Sequence, residues 1–138
     1  DFVSAMFEAY YRDVRYAVLL DGEGNVTEGR GWNIFALEGG RLVSPDEGVL
    51  EGITRRTVVE LAESLNIEAR LEKLSADQLR GAEEIFLTST AGGIVPVKSV
   101  DGAEIGEGGP GPVTQRLTEM YWTLHEDEAY STPVVYRD

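Results

Sequence analysis

The chain has 138 residues, 42% of them hydrophobic and 27% charged, which suits one packed domain or part of a larger one. Its 25 acidic residues against 12 basic ones give a formal charge of -13, so a phosphate backbone is repelled and nucleic acid is not an expected partner. The lack of cysteine excludes disulfides and thiolate metal sites and fits a cytoplasmic protein, and no apolar run approaches the roughly 18 residues of a membrane span.

The first residue is Asp1, and the sequence runs at once into a helical pattern over residues 2–12. Phe2, Ala5, Met6, Ala9 and Tyr10 share one face of it, and Asp1 can cap it. Residues 15–20 read as a buried strand, followed by an Asp21–Asn25 turn cluster. Two strands, Trp32 to Leu37 and Arg41 to Ser44, flank Glu38-Gly39-Gly40 as a hairpin. The strongest helix is expected near 54–65, with Val58, Leu61, Ala62 and Leu65 at helical spacing and Asn66 as its stop. Residues 67–72 alternate as a strand, and Ser75 to Gln78 form a capping box that opens a short helix. Glu84 to Ser89 is a strand. A Thr90–Gly93 turn leads into a strand over 94–100, an Asp101-Gly102 turn follows, and a last helix covers roughly 113–125. The whole is a mixed α+β pattern, without regular βαβ alternation and without internal repeats.

Three stretches carry chemistry: Thr27-Glu28-Gly29-Arg30-Gly31-Trp32-Asn33-Ile34-Phe35, Gly48-Val49-Leu50-Glu51-Gly52-Ile53-Thr54-Arg55 and Thr88-Ser89-Thr90-Ala91-Gly92-Gly93. Singly, each has a plain reading: an exposed turn carboxylate, a helix start capped by threonine, a strand entering a glycine turn. In this order, over nearly the whole chain, they resemble the class IV (fold-type IV) pyridoxal-phosphate aminotransferases of the branched-chain and D-amino-acid type. The Thr90 to Val97 stretch, the Gly-Pro-Gly-Pro of 109–112 and Tyr121-Trp122…His125 are most similar to the (R)-selective amine transaminases of that family.

The resemblance implies a fold and a set of roles. Residues 1–138 would be the C-terminal part of the PLP-binding α/β domain. The cofactor would be pyridoxal 5'-phosphate, the partners an amino donor and a keto acid, and the assembly a homodimer. Glu28 would hold the pyridine nitrogen protonated, so that the ring draws electrons. Gly52, Ile53 and Thr54 would present a helix N-terminus to the phosphate, with Thr90 as a second hydroxyl. Leu50 would pack on the ring face, and the Ala91–Gly92 turn would face the substrate. Glu28, Thr54 and Thr90 are therefore expected in one pocket, with no metal. Arg30 stands where the family prefers a small residue and Trp32 where many members have Phe.

Neither lysine of the chain, Lys73 or Lys98, matches the family's Schiff-base lysine, which lies shortly before the segment like Phe2 to Ala9. The chain is thus expected to begin after it, with a phosphate-binding arginine and much of the substrate pocket in an N-terminal segment, and with apolar surface near residues 2–12 meant to meet that segment. Two alternatives stay open: an aminodeoxychorismate lyase-like or D-amino-acid enzyme on the same scaffold, and a non-catalytic interaction module that keeps the fold without the lysine. Gly106 to Gly111 satisfies G-x-G-x-x-G literally, but it lacks a buried preceding strand and has Pro110 and Pro112 at its end. His125, the single histidine, reads as a packing or capping residue. Arg55 and Arg56 suit phosphate neutralisation, a solvated helix face or a subunit contact.

Overall fold

A computed structural model describes residues 1–136. Helix α1 (Phe2–Tyr11) starts where the Asp1 carboxylate accepts the N–H groups of Val3 and Ser4 at 2.8 and 3.0 Å. Of its residues only Ala9 is buried, while Phe2, Met6, Phe7 and Tyr10 are exposed. The apolar face read from the sequence thus buries only Ala9 among the described residues and leaves the apolar surface expected there exposed. The expected strand over 15–20 does not form. That segment holds only an isolated bridge, Leu20 to Val26, and backbone bonds between Leu19 and residues 27 and 28. Its partner stretch ends within a few residues at Gly29, so no ladder can grow.

Strands β1 (Asn33–Glu38) and β2 (Arg41–Ser44) pair as the hairpin read from the sequence. Gly39 and Gly40 turn it with φ of 57° and 77°, the left-handed pair that matches strand twist. Helix α2 (Ile53–Ser64) ends at Asn66, whose φ is 57°. There the N–H groups of Asn66 and Ile67 close back onto the carbonyls of Glu63 and Ala62, at 3.0 and 2.9 Å. Strand β3 (Ala69–Leu71) lies parallel to β2, the pairing that a helical crossover such as α2 permits. Helix α3 (Ala76–Arg80) opens with the Ser75–Gln78 capping box, both bonds present. Strands β4 (Glu84–Ser89) and β5 (Gly93–Pro96) follow, then the small hairpin of β6 (Ser99–Val100) and β7 (Ala103–Glu104). The strand expected over 94–100 is thus broken in two, with Lys98 between the halves. Helix α4 (Pro112–Thr123) passes into a 3-10 turn at Leu124–Glu126.

The main sheet has the order β3-β2-β1-β4-β5 and is antiparallel apart from β2–β3. Alternation along the strands makes two cores. Ile34, Ala36, Val43, Ile85 and Leu87 face one side, against Val26, Leu74, Leu79 and Ile105. Phe35, Leu37, Leu42, Phe86 and Ile94 face the other, against α2 and α4. Phe35 and Phe86 stack there at 5.1 Å. Among the described residues no helix is long and apolar enough to cross a membrane.

Candidate functional site

Strand β4 organises the site. Glu84, Phe86 and Thr88 alternate onto its helix-covered face. At one end the buried Glu84 carboxylate accepts from the N–H groups of Val113 (3.1 Å) and Thr114 (2.7 Å) and from the Thr114 hydroxyl (2.6 Å), so a strand residue caps α4. Gly111 is required beside it, because a Cβ there would collide with the Glu84 carboxylate. At the other end Thr88 lies in register with Asn33 of β1, next to the start of α2. No side chain caps α2, whose N-cap is Gly52.

A cavity of about 180 Å³ opens at that uncapped end. Glu28, Leu50, Gly52, Ile53, Thr54 and Thr90 all line it. The structure thus brings together six of the eight residues singled out in the sequence, from three separated stretches. Ala91 and Gly92 lie outside the lining. They form the exposed β4–β5 turn, where the Gly92 N–H is taken by the Ser89 hydroxyl at 3.0 Å.

One asparagine knits the first two stretches. Asn33 Nδ2 donates to Glu28 Oε2 at 3.0 Å and to the Leu50 carbonyl at 2.8 Å, while the Leu50 N–H donates to the same Glu28 oxygen at 2.8 Å. Glu28 is therefore fixed by two donors through Oε2. A Cβ at Gly52 would run into Asn33 Oδ1, so glycine is needed there for the close approach of that side chain. Thr54 is buried, with its hydroxyl 3.5 Å from that of Tyr121. Leu50 and Ile53 expose their side chains beside the opening.

The two unusual residues also border the cavity. The Trp32 indole covers Gly29 and meets Tyr16 edge to face at 6.0 Å, and Arg30 donates weakly to Met6 Sδ of α1 at 3.1 Å. A second cleft of about 210 Å³ lies between α1 and the Arg15–Ala17 segment and shares Phe2, Arg30 and Trp32 with the first.

Other candidates fall elsewhere. Arg55 is buried and donates to the Ser44 hydroxyl at 3.1 Å and the Pro45 carbonyl at 2.6 Å, so it ties α2 to the end of β2 and is no solvated face. Burial lowers its pKa, and the nearby carboxylates of Glu51, Asp46 and Glu28 oppose that shift. Arg56 is exposed, 4.0 Å from Glu60. Lys73 pairs with Glu23 at 3.2 Å, which raises its pKa, and Lys98 is exposed. Neither lysine lines the cavity. His125 Nδ1 meets the Tyr121 carbonyl at 3.0 Å and its ring packs on Trp122, a capping and packing role. The Gly106–Gly111 run leads to a helix end already filled by a carboxylate, which would repel a pyrophosphate. Sequence reasoning gave no role to Thr88 or Asn33. The alternation Glu84, Phe86, Thr88 was the available signal for the first.

The sequence profile of the family described as Amino-transferase class IV matches residues 1–100. The branched-chain-amino-acid aminotransferase of Escherichia coli (strain K12) is 40% identical over 123 residues, covering 88% of this chain and 40% of that protein. The probable branched-chain-amino-acid aminotransferase of Aquifex aeolicus is 40% identical over 121 residues, covering 86% and 39%. Among solved structures, the branched-chain aminotransferase from the thermophilic archaeon Thermoproteus uzoniensis with norvaline superimposes with a TM-score of 0.85 at 36% identity, over 93% of this chain and 43% of that one. The chain spans 40% of the length of the E. coli relative and carries the fold of these enzymes over that part. On the profile match, the identity and the superposition together, the chain belongs to the class IV aminotransferases.

Proposed function

We propose that this chain carries the cofactor-holding part of a pyridoxal 5'-phosphate-dependent aminotransferase, which moves an amino group between an amino acid or amine and a keto acid. The observation that carries the reading is that a fixed carboxylate, Glu28, and the uncapped N-terminus of α2 line one cavity. Those two ends suit the two ends of the cofactor. A helix N-terminus offers free N–H groups and a favourable dipole to a phosphate. A carboxylate suits a protonated ring nitrogen. The buried Thr88 hydroxyl, without a partner, gives the lining polar capacity to spare, and no side chain caps the helix end beside it. When bound, the cofactor supplies the electron sink for breaking bonds at the substrate's amino-bearing carbon.

This chain's own residues would do the following. Ile53 and Thr54 bind the phosphate through the helix end, with the Thr90 hydroxyl beside them. Glu28 keeps a proton on the ring nitrogen, and Asn33 and the Leu50 N–H keep Glu28 in place. Leu50 covers the ring. The Ala91–Gly92 turn faces the substrate. An N-terminal segment would bring the Schiff-base lysine and the rest of the pocket. The assembly is read as a cytoplasmic homodimer.

Amino acids with branched apolar side chains are the first substrates to try, since the relatives bear that name. The (R)-amine reading rests on the 90–97 stretch, the Gly-Pro-Gly-Pro of 109–112, and Tyr121, Trp122 and His125, three residues whose rings pack on one another. The test is a panel of branched-chain L-amino acids, D-amino acids and (R)-amines with keto acid acceptors, run on the full-length protein, with borohydride reduction and peptide mapping. Turnover with a phosphopyridoxyl label on a lysine other than Lys73 and Lys98 is expected. Absence of cofactor binding would leave the interaction-module reading. Turnover by residues 1–138 alone with label on Lys73 or Lys98 would overturn the expectation of a second segment. Sedimentation of the full-length protein checks the dimer.

A further inference from the structure

We propose that Thr88 is a further binding residue of this site, its hydroxyl donating to the anionic group seated at the N-terminus of α2. The proposal rests on the cofactor reading above. Thr88 is 1% exposed, and its Oγ1 has no hydrogen-bond partner. Among the described residues the other buried side-chain polar atom in that state is Arg41 Nε, at the β1–β2 hairpin. Other threonines of the fold are served. The Thr114 hydroxyl donates to Glu84 at 2.6 Å, that of Thr118 to the Thr114 carbonyl at 2.7 Å, and that of Thr27 to the Leu19 carbonyl at 3.0 Å.

An unpaired hydroxyl in a central strand is costly, and valine would fill the same space without that cost. The hydroxyl therefore needs a partner that the chain itself does not supply. Its surroundings say which kind. Thr88 lines the cavity together with Gly52 and Thr54 at the start of α2 and shares a register position with Asn33, whose Nδ2 is already engaged. A helix of 12 residues with no side-chain cap makes that end of the cavity electropositive. Glu28, fixed on the same lining, disfavours a second anion beside it. The partner is thus a phosphate oxygen at the α2 end, and Thr88 adds a donor to those of Thr54 and Thr90.

The experiment uses Thr88→Val and Thr88→Ser in the full-length protein, titrated with pyridoxal 5'-phosphate, with pyridoxal lacking the phosphate and with inorganic phosphate. Melting without ligand is measured alongside. Thr88→Val should weaken the two phosphate-bearing ligands roughly tenfold, the worth of one hydrogen bond to a charged group, and leave pyridoxal unchanged. Thr88→Ser should bind within about threefold of the parent, as it keeps the donor. The unliganded Thr88→Val protein should melt at the parent temperature or above it, because an orphan group has gone. A lower melting point with unchanged affinity would make the hydroxyl structural and overturn the proposal. Equal phosphate binding by parent and Thr88→Val would also overturn it while leaving the cofactor reading intact. A parent that binds neither phosphate ligand would sink that reading and this proposal together. Should Thr88→Val not fold, Thr88→Ala against Thr88→Ser carries the same contrast.

Discussion

Helices α2 and α4 have the same length, both start after a glycine, and both have their first turn near strand β4. Their N-termini are treated in opposite ways. At α4 the chain sends in its own carboxylate, Glu84, and closes the end with three hydrogen bonds. At α2 no side chain arrives, and Thr88, two positions beyond Phe86 on the same strand face, is left without a partner. The orphan N–H groups of a helix start must be met by something. A helix end met from within the chain serves the fold. One kept open beside a buried donor is available to a ligand.

The comparison can be broken most severely at Glu84. Glu84→Ala should cost on the order of 3 kcal/mol in chemical denaturation, since buried donors of α4 lose a charged acceptor. Loss under about 1 kcal/mol would mean that the α4 cap is not structural. Gly111→Ala tests the same joint from the other side: displacing the Glu84 carboxylate should cost about 1–3 kcal/mol.

The α2 end should respond in binding more than in stability. Gly52→Ala pushes on Asn33 and through it on Glu28 and Leu50, so cofactor affinity should fall by at least about tenfold. Thr54→Val should weaken phosphate binding to a similar or smaller extent, with a change in stability within about 1 kcal/mol. A melt that falls as far as in Glu84→Ala, with affinity retained, would show that α2 is no more open than α4.

The smallest effect separates burial from bond number. The Asp21 carboxylate also accepts three hydrogen bonds, from the backbones of Glu23 and Asn25 and from the Asn25 side chain, but it is fully exposed. The Asn25 side-chain bond and then its backbone N–H hold its pKa below the ordinary 3.8. A depressed folded pKa means that the contribution is present above the unfolded value and is lost as pH falls through the folded one. Asp21→Ala should therefore lower stability slightly at neutral pH, and the difference from the parent should vanish as pH falls through the carboxylate range, flattening the acid limb. A loss comparable to that of Glu84→Ala would show that the number of bonds, and not burial, sets the cost.

Much of this was legible in the residues, for local reasons. Gly39-Gly40, Asn66 and Ser75–Gln78 name their turns and caps because left-handed backbone and capping are decided within a few residues. Expectations that failed depended on distant partners. The 15–20 segment has strand composition, yet its partner stretch is too short for a ladder. The strand over 94–100 splits because residues 99–104 form their own hairpin. The exposed Phe2, Met6 and Tyr10 of α1, by contrast, match the apolar surface expected near residues 2–12.

For the site, the sequence by itself determined which residue types are present and in what order: a carboxylate in Thr27–Gly29, a glycine before the best helix, a hydroxyl ahead of a glycine turn. Periodicity and motif spacing carry that much because they act along the chain. The tertiary structure decided that Asn33 joins Glu28 to Leu50, that Glu84 serves α4, and that Thr88 lines the cavity at the open end of α2. Those outcomes follow from strand register and helix placement, which put residues 17 to 30 positions apart within hydrogen-bond reach and which no local pattern encodes.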